Sequence, residues 1–112
     1  MSETIVHLCP RKDWEEAKNQ GEYKAASLAT EGFIHCSRPD QLLEVANRYY
    51  QEVQDLVLLW IAPEKIKPEV CWEESDGAIF PHIYGVLNLD AVIGVHEFIP
   101  GADGIYRSLP SL

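Results

Sequence analysis

Apolar residues along the chain fall into short runs divided by glycine, proline and acidic residues. The stretch "TIVHLCP" predicts a strand over 5–9 that Pro10 terminates. In "DWEEAKNQG", Asp13 reads as a helix cap, Glu16 follows three residues later, and Gly21 closes the end. Trp14 and Ala17 are spaced for one buried face of that helix. "EYKAAS" fits an edge strand, "SLATEG" one helical turn ending at Gly32, and "FIHCS" a second strand. From Pro39 to Gln54, Leu42, Val45, Ala46, Tyr49 and Val53 recur at helical spacing, the clearest helix in the chain. "DLVLLWIAP" is apolar on both faces, as a central strand is, and ends at Pro63.

"EVCWEE" reads as a further strand and "SDGAIFPHIYG" as a loop. "AVIGVHEFI" fits a strand bent at Gly94. The tail "PGADGIYRSLPSL" reads as a poorly ordered end or surface arm. Strands and helices mix without a clean βαβ repeat, so the fold class is α+β. Residues 1–100 form one compact domain and 101–112 a C-terminal tail.

Composition narrows the class. With 112 residues, 46% hydrophobic and 24% charged, the chain suits one globular domain. No run approaches a membrane span, and the N-terminus lacks the basic and apolar regions of a secretory signal. Three cysteines without framework spacing suit a reducing compartment, so a cytoplasmic protein is expected. The net charge of −9 speaks against a nucleic-acid partner, which requires a basic face. Residues 1–48 carry 6 basic and 8 acidic side chains, residues 49–112 only 3 basic against 10 acidic. The first part is therefore the better place for a small anionic ligand. Neither oligomeric state nor a protein partner is legible.

The chemistry-bearing residues cluster at His7 and Cys9, at "HCS" (His35, Cys36, Ser37), and at His82 in "FPHIYG". Zinc requires convergent ligands, yet His35 and Cys36 point to opposite faces of a strand, and no Cys-x-x-Cys or His-x-x-x-His is present. No metal is expected. A cysteine nucleophile needs an electropositive, partly exposed setting, and neither Cys9 nor Cys36 has a base aimed at it. The remaining reading is a polar pocket. Phe33, His35 and Ser37 share one strand face, His7 can face the same space, and His82 and Tyr84 can project together from their segment. Ser37 reads as cap of the next helix with Asp40 completing a box, and Arg38 lies beside that positive end. His7 is expected to line a wet cleft, where truncation to alanine costs about 1 kcal/mol. His96 stands apart from the cluster.

"HLCPRKDWEEAKNQGEY", "SLATEGFIHCS", "VANRYY", "DLVLLWI" and "FPHIYG" in this order resemble a family of small bacterial and plant domains of unknown function, family nine-five-two. The resemblance covers Ile5 to about Phe98. The order of histidine strand, helix, glycine and a second strand ending His-x-Ser is more distantly similar to ADP-ribosyltransferases and RNA 2′-phosphotransferases. That similarity implies an ADP-ribosyltransferase-like fold, a mixed sheet with flanking helices. It also implies a nucleotide-like or NAD-like ligand, with NAD a substrate rather than a resident cofactor, and ADP-ribosyl or phosphoryl transfer. His7, His35 and His82 would be the catalytic residues, and Ser37, Arg38 and Tyr84 the ligand-binding ones. Glu97 is a candidate for the third catalytic position. Departures from those enzymes are the bulkier Leu8 and Cys9 after the first histidine and few basic residues for phosphate. The alternative is a non-catalytic small-molecule-binding or interaction domain.

Overall fold

In the computed structural model, which describes residues 4–111, the chain runs β1 (Ile5–Pro10), α1 (Arg11–Gln20), β2 (Glu22–Tyr23), α2 (Ala26–Thr30), β3 (Ile34–His35) and α3 (Pro39–Tyr49). It continues through β4 (Leu56–Ile61), β5 (Glu69–Ser75), β6 (Ala78–Tyr84), β7 (Leu87–Asn88) and β8 (Val92–Phe98), with single 3-10 turns at Pro63–Lys65 and Leu89–Ala91. The class is α+β. The strands form a sheet in the order β1-β4-β8, a second in the order β3-β6-β5, and the short pair β2-β7. Where the resemblance implies a mixed sheet, all these pairs are antiparallel. Among the described residues no helix is long and apolar enough to cross a membrane.

The core follows from β4, buried at every residue because it is covered on both faces. Val57, Leu59 and Ile61, with Ile5 and Cys9 of β1, pack against Trp14 and Ala17 of α1 and against Ile34 and Ile83. The alternate residues Leu56, Leu58 and Trp60, with Val6 and Leu8, pack against Leu42 and Ala46 of α3. One strand thus serves two apolar layers. The β4–β8 register shifts beside Trp60, which lies opposite Gly94, so the bend sits where the glycine is.

Several boundaries depart from the sequence pattern. Pro10, not Asp13, stands at the N-cap of α1, while Gly21 closes that helix in the left-handed region as expected (φ 82°). Likewise Arg38, not Ser37, is the N-cap of α3, and the Gln41 side chain accepts the Arg38 backbone N–H at 2.9 Å. α3 stops at Tyr49 rather than Gln54, and Val53 is exposed beyond it. The segment read as a loop is the hairpin strand β6. Asp76 (φ 53°) and Gly77 (φ 82°) make its tight turn, the left-handed pair that an Asp-Gly sequence favours. Pro81 is tolerated within β6 because β3 ends opposite His82, one residue away, and the Pro81 carbonyl still accepts the Cys36 N–H at 3.1 Å.

The described part of the tail, residues 101–111, has no helix or strand, but it is docked. Tyr106 is buried and stacks on Phe98 with ring centroids 4.5 Å apart. Asn47 of α3 donates to the Tyr106 carbonyl and accepts the Tyr106 N–H, both at 2.8 Å. Asn47→Ala strands both backbone groups, so it should lower unfolding free energy by about 1–3 kcal/mol and speed tryptic cleavage after Arg107. Urea midpoints and a digestion time course measure the two effects. Equal cleavage rates in parent and variant would mean the arm is not held by this contact.

Candidate functional site

The two three-stranded sheets join at one isolated bridge, where Val6 and Ser37 exchange backbone hydrogen bonds of 2.8 and 2.9 Å. Beside that join, under α3, lies a cavity of about 310 Å³, within the size range of small-molecule sites. His7, His35 and His82 all line it, as does Ser37. Val45 and Tyr49, from the same helical stripe that fills the core, form its α3 wall. Arg38 lies outside, paired with Asp40 at 3.0 Å. Tyr84 also lies outside the lining, and Glu97, tied to Arg11 at 2.9 Å, takes no part in the site.

The three histidines differ in what holds them. His7 is buried, and both ring nitrogens are engaged. Nδ1 lies 2.5 Å from the His35 carbonyl oxygen, which can only accept, so Nδ1 carries the hydrogen. Nε2 therefore accepts from the Tyr23 hydroxyl at 2.8 Å. Burial holds the His7 pKa down to about 4, so the ring is neutral at pH 7. It has no lone pair left for a metal or a ligand. It also makes His7 a satisfied buried histidine rather than one in a wet cleft. Truncation to alanine strands buried partners, at about 1–3 kcal/mol before any cavity cost, rather than the 1 kcal/mol expected above. Among the described residues no group of three or more His, Cys, Asp or Glu is placed to hold a metal ion.

His82 is the opposite case. Strand alternation puts Phe80, His82 and Tyr84 on one face of the sheet with Cys71 and Glu73, and the register makes Glu73 the diagonal neighbour of His82. Glu73 Oε1 accepts from His82 Nδ1 at 2.8 Å and from the Tyr84 hydroxyl at 2.6 Å. The Tyr84 bond, then the His82 bond, hold the Glu73 carboxyl below its ordinary pKa, and the same carboxylate pushes Tyr84 up to about 12. Phe33 stacks on the imidazole at 4.2 Å. His82 is 4% exposed, and its Nε2 has no hydrogen-bond partner among the described residues. In the tautomer with hydrogen on Nδ1, Nε2 carries the lone pair.

His35 is half-exposed and shares a 3.0 Å hydrogen bond with Glu31. Burial raises the thiols of Cys9, to about 12, and of Cys36, so they stay protonated at neutral pH and act as small core fillers. Sequence reasoning missed Glu73, because its partner segment was read as a loop. The Asp-Gly turn was the signal that would have paired Glu73 with His82.

The family model described as "Protein of unknown function (DUF952)" matches residues 8–95. A crystal structure of protein CC0527 from Caulobacter crescentus is similar to this chain at 33% identity and a TM-score of 0.84, covering 93% of each chain. A crystal structure of a double mutant of CC0527 gives the same values. The solution NMR structure of CC0527 gives a TM-score of 0.81 over 93% of this chain and 91% of that one. No curated protein matches.

The neutral His7 predicts a pH dependence. The folded pKa, about 4, lies below the ordinary 6.5, so between these values the unfolded chain binds more protons. Stability present above pH 6.5 is then lost as the pH falls towards 4, by roughly 3 kcal/mol in all. The difference in urea stability between wild type and His7→Gln, followed from pH 7.5 to 4, isolates this contribution. A constant difference across that window would show that His7 titrates normally in the folded protein.

Proposed function

The chain belongs to the DUF952 family of proteins of unknown function, and we propose that it binds a small nucleoside-like ligand in the histidine-lined cavity. The observation that carries this reading is His82 Nε2, buried and without a partner beside the cavity. A buried polar atom left unpaired costs about 1–3 kcal/mol, and native structures keep few of them. A ligand hydroxyl or N–H donating to Nε2 removes that cost. Glu73 fixes the ring from the other side, as a carboxylate does when it orients a general base.

The finer version takes an NAD-like molecule as the ligand. Its pyridine ring and first ribose occupy the cavity, and its phosphates stay outside, because no lysine or arginine lines the wall. His7, held in one tautomer, His35 and Ser37 shape the pocket around the sugar. In a transfer reaction His82 takes the proton of the acceptor hydroxyl, the acceptor oxygen bonds the anomeric carbon, and the ring leaves with the glycosidic electron pair. The Glu73 carboxylate stabilises the imidazolium so formed. Tyr84 acts through Glu73 as a positioning residue. Arg38 is left to the solvent side.

A thermal-shift series with NAD, ADP-ribose and nicotinamide riboside tests the reading. A ligand at about 100 times its Kd contributes about 2.7 kcal/mol to the folded state and raises Tm accordingly. His82→Phe keeps the stack on Phe33 and removes Nε2, so its ligand-free stability should stay within about 1 kcal/mol of the parent, with the ligand shift gone. An undiminished shift in His82→Phe would remove His82 from the site. No shift with any of the three would remove the nucleoside-like ligand.

A further inference from the structure

We infer that the group this cavity holds is a small organic cation, a quaternary ammonium or an N-alkylated pyridinium; the inference rests on the reading of the cavity as a ligand site. Apart from the histidines, its ionisable carboxyl groups are Glu31 and Asp76. Asp76 accepts from the Tyr49 hydroxyl, and Glu31 shares its hydrogen bond with His35. Among the described residues neither carboxylate pairs with a lysine or arginine. The arginines are committed elsewhere, Arg11 to Asp55 and Glu97, Arg38 to Asp40, Arg48 to Glu44 and Arg107 to Asp103.

The rest of the wall suits the same ligand. Tyr49, Tyr50 and Phe80 are among the residues that line the cavity, and the faces of aromatic rings attract ammonium and pyridinium ions. In the tautomer with hydrogen on Nδ1, the free Nε2 of His82 can accept a hydrogen bond. It serves a donor carried by the cation, such as the N–H of a carboxamide or the hydroxyl of an amino alcohol. An anion in the same place meets two carboxylates that, among the described residues, no lysine or arginine neutralises, on a chain of net charge −9. A neutral ring keeps the apolar contacts and a donor for His82 Nε2 but gains no attraction from the two carboxylates.

The same ring in three charge states provides the test. Calorimetry with wild-type protein compares 1-methylnicotinamide (cationic), nicotinamide (neutral) and nicotinate (anionic), with choline as a second, non-aromatic cation. Both cations should bind, nicotinamide about tenfold more weakly than its methylated form, and nicotinate more weakly again. Asp76→Asn and Glu31→Gln, both at exposed carboxylates, should each weaken the cations about threefold and leave nicotinamide unchanged. Nicotinamide binding as tightly as 1-methylnicotinamide would overturn the inference, as would absence of cation binding. If nicotinamide binds equally well and His82→Phe abolishes it, the cavity reading stands and only the charge preference falls.

Discussion

Val6 and Ser37 exchange the two backbone hydrogen bonds that join the sheets, and the site is arranged around that join. The bridge fixes where β3 ends relative to β1, and so places the His35 carbonyl within reach of His7. It fixes where α3 starts, since Arg38, the next residue, is the N-cap. Because the sheets meet, among the described residues, at a single bridge, they leave space beside it, which α3 covers without filling. An extended ladder there would bring side chains of both sheets together and close the cavity. The opening is thus a consequence of strand pairing that stops early.

Within that space the two buried histidines have opposite chemistry for one physical reason, the number of partners each is given. His7 meets a carbonyl and a hydroxyl, one acceptor and one donor, which together satisfy a neutral imidazole completely. It stabilises one arrangement of β1, β2 and β3 and has nothing left to offer a ligand. His82 meets a single carboxylate, which satisfies one nitrogen and leaves the other. Equal burial therefore gives a structural residue in one case and a candidate reactive one in the other. The phenylalanine stacked on His82 limits how far the ring can turn to repair the deficit.

The sequence by itself determined the parts governed by local periodicity and local steric limits. The unbroken apolar run of β4 required cover on both faces. Leu42, Val45, Ala46 and Tyr49 required a helix with one apolar stripe, and Gly21 and Gly32, both at positive φ, closed the helices before them. Alternation in "FIHCS" was enough to put Ile34 and Cys36 in the core and His35 on the other face. The histidines that line the cavity were singled out because they interrupt apolar segments at punctuated ends.

Only the tertiary structure decided what those residues are for. Hydrogen-bond partners such as Glu73 for His82 and Tyr23 for His7 are 9 and 16 residues apart in the chain, and strand register sets which meet. Pro81 obscured the second strand of that register, since its missing N–H matters only if a neighbour needs it, and β3 ends before it does. The tail reads as an arm because its buried anchor, Tyr106, needs Asn47 and Phe98 to be recognisable as buried. Periodicity reports which face of an element is apolar. It carries no information about which polar atom lies opposite another, and in this protein that pairing separates the satisfied histidine from the free one.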